Sequence, residues 1–250
     1  MITESPIFTS DLLATLDPAR IPQHIAFIPD GNRRWAKQHE EEIAHGHKTG
    51  ADNLIDITLA AKALGVKVLT FYLFSTENWS RSKEEVAALM WLLQEFLTVN
   101  RQRMIDEGIK VSTIGHTSAL PKEVYDCIGE SVEATAGCDK IEMVMALNYG
   151  GRNEIVRAVK HLVSEYSVKD RSAEEINEEV IGKCLDTSQW SDPELLIRTS
   201  GEMRLSNFLL WQLSYSEIYF THLLWPDFKP QDLLKAIVDY QKRERRLGGA

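Results

Sequence analysis

His24-Ile-Ala-Phe-Ile-Pro-Asp30-Gly-Asn-Arg-Arg-Trp-Ala-Lys37 is the stretch that decides how the chain is read. Ile25 to Ile28 is a short, unbroken apolar run, the pattern of a buried strand. Pro-Asp-Gly-Asn then supplies turn chemistry, because Pro presets φ, Gly accepts positive φ and Asn tolerates the left-handed region. Arg33, Arg34 and Lys37 follow at the start of a helical stretch. One carboxylate, a flexible turn and three cations therefore meet where a strand stops and a helix starts. Free backbone N–H groups and the helix dipole favour an anion at such a place. The expectation is a loop that holds a diphosphate, with Asp30 holding the metal that bridges it.

The same strand-then-polar pattern recurs outward from this stretch. Val66 to Phe74 is almost continuously apolar, as a parallel strand covered on both faces would be, and runs into Ser75-Thr76-Glu77-Asn78-Trp79-Ser-Arg81. Ile109 to Gly115 reads as a third strand, and Ile141 to Leu147 as a fourth that ends in Asn148-Tyr-Gly-Gly-Arg152. Leu195 to Ile197 leads into Arg198-Thr-Ser-Gly-Glu202-Met-Arg204-Leu-Ser206-Asn207, and Glu217 to Phe220 reads as the last strand. Helices are expected over about 48–64, stopped by Gly65, and over 83–106, where Ser82 and Glu85 have the spacing of a capping box. Further helices are expected over 121–135, 153–166, 173–184 and 231–243. Strands alternating with helices predict an α/β fold: a mostly parallel central sheet of about six strands flanked by helices. No linker or repeat divides residues 21–250, which read as a single domain preceded by an arm or short helix over 1–20. Ligands of open α/β sheets sit outside the carboxyl ends of the strands. The clusters at 29–37, 75–81, 148–152 and 198–207 should therefore converge on one site.

Composition narrows the chemistry. With 250 residues, 44% of them apolar, the chain can bury a substantial core. A net charge of −9 and a pI near 5.3 leave no broad basic face for nucleic acid. Cys127, Cys138 and Cys184 are widely spaced, which suits a reducing compartment and not a metal site. The N-terminus lacks a signal-peptide pattern and no stretch is long and apolar enough to span a bilayer, so a cytoplasmic protein is expected, with peripheral membrane contact left open. No dinucleotide fingerprint, phosphate-binding loop motif or nucleophile elbow is present. The clusters hold Asp, Asn, Ser, Arg and Gly with no cysteine and little histidine. That mixture suits a phosphorylated ligand with a hard cation such as Mg²⁺, and neither zinc nor redox iron.

Taken together with Phe208-Leu-Leu-Trp211 and Glu217-Ile-Tyr-Phe…Trp225-Pro-Asp-Phe228, these blocks resemble the signatures of the cis-prenyltransferases, most nearly the bacterial undecaprenyl diphosphate synthase type, over about residues 22–249. The resemblance implies Mg²⁺-dependent condensation of isopentenyl diphosphate onto an allylic diphosphate such as farnesyl diphosphate, each addition creating a Z double bond. Undecaprenyl diphosphate, the lipid carrier for cell-wall glycans, is the implied product. It further implies that Asp30 and Glu217 approach the metal, and that Asp30 and Asn78 are catalytic. Gly31, Asn32, Arg33, Arg34, Trp35 and His47 would surround the allylic diphosphate. Arg198, Arg204 and Ser206 would grip the isopentenyl diphosphate. Ser75, Thr76, Glu77, Trp79 and Arg81 would cover the site, with Glu85 on the following helix. In a homodimer, Arg246 and Gly248 would reach the partner's site. The growing chain needs a dry channel, for which the apolar stripe of 83–106 and strand 141–147, including Met143 and Met145, supply walls.

The chain departs from the family pattern at two places. Ile43 stands where an arginine usually precedes the histidine by four residues, so Arg33 or Lys37 is expected to supply that charge. Met203 stands where some relatives carry a histidine. Glu85 is equally explained as a helix-capping residue, His24 and His116 as structural residues, and Trp211 and Trp225 as packing. A short-chain Z-prenyl synthase and a non-catalytic partner subunit are the competing readings.

Overall fold

A computed structural model describes residues 7–8, 10–169 and 172–244. Its elements run α1 (Ser10–Leu13), β1 (His24–Ile28), α2 (Asn32–Gln38), α3 (Ile43–Leu64), β2 (Val68–Ser75), α4 (Lys83–Asp106), β3 (Ile109–Ile114), α5 (Lys122–Ala134) and β4 (Ile141–Tyr149). They continue with α6 (Gly151–Lys169), α7 (Glu178–Gly182), β5 (Leu195–Arg198), β6 (Glu217–Phe220) and α8 (Pro230–Lys242). The six strands form one sheet in the order β3-β4-β2-β1-β5-β6, every neighbour parallel, as the alternating pattern predicted. Residues of the expected N-terminal arm are tied to α8: Gln241 donates to the Asp17 carbonyl at 2.8 Å and accepts the Asp17 N–H at 2.9 Å.

Side chains alternate across the sheet into two cores. Ile25, Phe27, Leu69, Phe71, Met143, Met145 and Leu147 pack on one face, where α3, α4, α5 and α8 also contribute. Ala26, Ile28, Val144, Ala146 and Leu196 pack on the other with Phe208, Leu209 and Leu213. The apolar stretch at 208–213 thus covers a sheet face without forming a helix. No helix among the described residues is long and apolar enough to cross a membrane.

Three departures from the expected elements have local causes. α3 begins at Ile43 and not near 48, because Glu40-Glu41-Glu42 lie just before its first turn, where negative charge is favoured. This puts Ile43 one turn before His47 on the same helix. The helix expected over 173–184 is split. Ser172 and Glu175 close a 3-10 turn over Ala173–Glu175, and Asn177 caps the short α7 by accepting the Val180 N–H at 3.0 Å. Such side chain–backbone bonds compete with a continuous helix. Finally, the β2–β4 register slips between Tyr72 and Ser75, with Tyr72 opposite Ala146 and Phe74 opposite Leu147. Leu73 is the extra residue of this bulge, so Tyr72, Leu73 and Phe74 all reach the same end of the sheet.

Candidate active site

The loops after β1, β2 and β5 enclose a cleft of about 850 Å³ at the carboxyl end of the sheet. β1 lies between β2 and β5, and the chain leaves β1 toward one side and returns to β5 on the other. A crevice at that point follows from the topology. The cluster after β4 does not line the cleft but braces it. Asn148 accepts the Trp79 indole N–H at 2.8 Å, and the N–H groups of Gly151 and Arg152 reach the Asn207 backbone and side-chain oxygens at 2.7 and 2.9 Å.

Asp30 and Arg198 form the floor. The Asp30 turn is shaped by Gly31, whose φ of 113° suits glycine, and whose Cβ, were there one, would lie 2.9 Å from Leu224. An Arg198 Nη donates to Asp30 Oδ2 at 2.9 Å, and the other donates to Ser206 Oγ at 2.8 Å and to the Arg204 carbonyl. Arg198 is 3% exposed and its Nε has no partner among the described residues, whereas the Asp30 side chain is 34% exposed and faces the cleft. Ser200, Ser206, Asn207 and Leu209 all have positive φ. Strain of that kind persists only where neighbours hold it, and it concentrates at functional sites. Here Tyr72 donates to the Ser206 carbonyl at 3.4 Å and stacks on Phe208 with ring centres 4.5 Å apart. Behind the loop, Glu154 accepts from the Tyr149 hydroxyl at 2.6 Å and from Gln212, and burial raises its carboxyl pKa.

The opposite wall carries Asn32, Arg33 and Arg34 from α2 and His47 from α3. Gly46 and Gly50 let these helices meet: a Cβ would lie 2.3 Å from the Asn32 carbonyl and 2.4 Å from Asn32 Oδ1, respectively. Burial first, and then Arg81, lowers the His47 pKa to about 4, so the ring is neutral at pH 7. Its Nδ1 lies 3.5 Å from Asn32 Nδ2, while His47 Nε2 and Asn32 Oδ1 are buried without partners among the described residues. Arg34 donates to the Ser200 carbonyl at 3.0 Å and to its hydroxyl at 2.5 Å, and pairs with Glu202 at 3.2 Å. Ser75, Glu77, Asn78 and Arg81 line the cleft from above. Asn78 Oδ1 accepts the Ser75 N–H at 3.0 Å, and Glu77 takes both Asn207 at 2.8 Å and Thr76 at 3.1 Å. Glu85 supplies only half of the expected capping box. Its N–H donates to Ser82 at 3.2 Å, but its carboxylate turns to Arg81 at 3.1 Å and Arg33 at 3.5 Å.

Several sequence assignments land elsewhere. Trp35 points out of the cleft, stacking on His39 at 4.1 Å and donating to Asp227 at 2.8 Å. Trp79 packs edge-on against Phe74, below the loop. Glu217 opens β6 opposite Leu195, at the far end of the strands from Asp30, where it pairs with Arg243 at 2.9 Å. The pair Asp30 and Glu217 is therefore not assembled as a ligand set within the chain, and the described residues contain no group of three or more His, Cys, Asp and Glu able to hold a metal. Arg204 pairs with Glu202 at the rim, and only its carbonyl reaches Arg198. Of the two cations expected to replace the one lost at Ile43, Arg33 lines the cleft and Lys37 does not. Arg246 and Gly248 lie outside the described residues. The contributions of Tyr72, Asn207 and Ser200 were not foreseen. Asn207 and Ser200 were signalled by their place in the 198–207 block, and Tyr72, inside the apolar run of β2, by nothing.

An apolar pocket of about 100 Å³ adjoins the cleft, sharing Pro29, Asn32, His47, Tyr72, Leu73 and Leu89 with it. Its far wall is Met90, Leu93 and Phe96 of α4 with Leu147 of β4. Met143 and Met145 are not walls. Both are fully buried in the core, with Thr58 Oγ1 3.7 Å from the Met143 sulfur.

A cationic cleft opening onto an apolar pocket at the end of this sheet agrees with the relatives of the chain. The sequence model of the undecaprenyl diphosphate synthase family matches residues 28–248. The chain belongs to this prenyltransferase family. It is 49% identical over 232 residues to an isoprenyl transferase of Chlamydia muridarum, covering 91% of this chain and 92% of that one. It is 46% identical over 229 residues to an isoprenyl transferase of Listeria monocytogenes, covering 92% and 91%. The crystal structure of lavandulyl diphosphate synthase from Lavandula x intermedia in complex with dimethylallyl diphosphate superposes with a TM-score of 0.90 at 36% identity, covering 92% of this chain and 100% of that one. As a family member the protein is a prenyltransferase, a class that works on isopentenyl and allylic diphosphates.

Proposed function

We propose that the protein adds isopentenyl diphosphate to an allylic diphosphate primer, farnesyl diphosphate, with Z geometry, and extends it to a long-chain polyprenyl diphosphate, undecaprenyl diphosphate, for cell-wall glycan synthesis. The observation that carries this reading is the buried Arg198, which joins Asp30 to Ser206 on the floor of a cationic cleft that opens into an apolar pocket. An arginine fork matches phosphate oxygens bidentately. The Arg198 Nε without a partner, together with Ser206, is suited to hold the isopentenyl diphosphate. Asn32, Arg33 and neutral His47 face the allylic diphosphate and stabilise the charge that develops as its C–O bond breaks. The dimethylallyl diphosphate held by the lavandulyl diphosphate synthase supports an allylic diphosphate as the ligand here.

Asp30 fits a Mg²⁺ site. Its carboxylate is partly exposed to the cleft, which Glu77 also lines, and Mg²⁺ is commonly held by one or two carboxylates plus substrate phosphates. Bound there, Mg²⁺ would neutralise charge on the departing diphosphate. Asn78 holds the Ser75 end of the covering loop, and Glu85 holds Arg33 and Arg81 toward the cleft. The same reading makes the protein a cytoplasmic homodimer with peripheral membrane contact.

The apolar pocket supports a second reading. Its small volume, about 100 Å³, favours a short-chain Z-prenyl diphosphate as product unless α4 shifts. Incubation with radiolabelled isopentenyl diphosphate, farnesyl diphosphate and Mg²⁺ should give long polyprenyl products that vanish on chelation. Products of one or two additions would support the second reading. No product with any allylic primer would make the chain a non-catalytic subunit.

A further inference from the structure

We infer that Thr199 is a positioning residue for the Asp30 carboxylate, a role that rests on the reaction proposed above. Thr199 is fully buried and directly follows Arg198, whose rung partner across the sheet is Ile28. It therefore sits just past the last rung, beside the Asp30 turn. Its hydroxyl accepts the Asp30 N–H at 2.9 Å and donates to the Asp30 carbonyl at 2.6 Å. One side-chain oxygen thus clasps both backbone polar groups of one residue.

Neither group depends on that clasp for satisfaction. The Asp30 N–H also reaches the Ile28 carbonyl at 2.9 Å, and the Asp30 carbonyl also accepts the Trp225 N–H at 3.0 Å. Removing the hydroxyl therefore orphans no buried backbone group, which is the change that costs stability heavily. What it removes is an orientational constraint. The next residue is Gly31, at a φ of 113°, and glycine gives the peptide after Asp30 freedom to rotate. Arg198 fixes the carboxylate from the side chain and Thr199 fixes it from the main chain, so the last residue of β5 and the residue after it set the group that faces the leaving diphosphate. A displacement near 1 Å at a reacting centre can lower the rate about a hundredfold.

The test compares Thr199→Val, which keeps the shape and removes the hydroxyl, with Thr199→Ser, which keeps the hydroxyl. In Thr199→Val, kcat should fall at least about tenfold while KM for isopentenyl diphosphate stays within about threefold, because Arg198 and Ser206 keep their places. Thr199→Ser should stay within about threefold of the parent in kcat. Turnover of the valine variant within about twofold of the parent would overturn the role, as would a serine variant that falls as far as the valine one. A valine variant that melts below the assay temperature would make Thr199 a fold residue and overturn it equally. If the parent shows no turnover, the functional reading fails first. The rise in melting temperature caused by inorganic diphosphate with Mg²⁺ then tests Thr199 alone. A rise at least halved in Thr199→Val and kept in Thr199→Ser supports the role, and equal rises overturn it.

Discussion

Two histidines, His24 fully buried and His47 half-buried, stand at opposite ends of the sheet, and they share a number but not a meaning. Burial lowers the pKa of both His24, at the start of β1, and His47, on α3, to about 4. His24 has both ring nitrogens engaged, Nδ1 with the Ser191 carbonyl at 2.6 Å and Nε2 with the Thr70 hydroxyl at 2.7 Å. His47 has one weak contact and a buried Nε2 without a partner, in a cleft that also holds the unpartnered Asn32 Oδ1 and Arg198 Nε. A perturbed pKa therefore does not separate a structural site from a functional one in this fold. Surroundings do: His47 lines a cleft shared with Asp30, Arg33 and Arg198, whereas His24 is closed in between Ser191 and Thr70.

The most severe test of that contrast removes the carboxylate at the functional end. Asp30→Ala should lower kcat more than about a thousandfold, a loss of roughly 4 kcal/mol, with the fold retained but the melting temperature lowered, since the buried Arg198 loses its carboxylate partner. Near-normal turnover would dissolve the distinction between the two ends. The next effect is on stability. The folded pKa of His24 lies below its unfolded value, so the unfolded chain binds more protons between about pH 6.5 and 4. The stability that His24 contributes is complete above pH 6.5 and lost as pH falls toward 4, by about 3 kcal/mol. Denaturant unfolding of the parent and of His24→Leu at several pH values should show the shallower slope in the variant. A direct swap of roles comes third. His24→Leu should cost about 1–3 kcal/mol by stranding the Ser191 carbonyl, and leave kcat nearly unchanged. His47→Leu should do the reverse, losing about tenfold or more in kcat/KM with stability kept. The smallest effect belongs to Ile43→Arg, one turn before His47 and 45% exposed. It should lower KM for the allylic substrate about threefold, and an unchanged KM would mean that Arg33 already supplies the charge.

The sheet and its polar end were legible from period and position. Buried parallel strands read as apolar runs, and turn-forming residues mark where each stops. Asp30, Asn32, Arg33, His47 and Arg198 sit in the cleft because strand ends must lie side by side once the strands pair. Side-chain direction was not legible. Trp35 is next to Arg34 in sequence, but a helix turns about 100° per residue and sends it toward Asp227. Met143 and Met145 share the Leu147 face, yet both are closed into the core, Met143 against Thr58 of α3, and nothing local announces this. Glu217 stands apart from Asp30 within the chain for a related reason. A residue that opens a parallel strand lies at the end opposite the cleft, and the motif that suggested it carries no information about which end is meant. Glu85 shows the same limit in reverse: its spacing fitted a cap, but two arginines from elsewhere in the chain claimed its carboxylate.

The clasp on Asp30 also sets a timetable for the chain as it is made. Its partners, Thr199 and Trp225, are synthesised long after it; the hydroxyl bond alone spans 169 positions. Loops of that size close late, after local helices and the adjacent β1–β2 pair have formed. A nascent chain that has emerged only through α7 can already carry the His47 wall, but its aspartate is still untethered and its arginine floor is unbuilt. Binding competence and completion of the fold are thus reached in one step, and a prematurely terminated product has no half-formed centre with which to sequester or squander diphosphate esters.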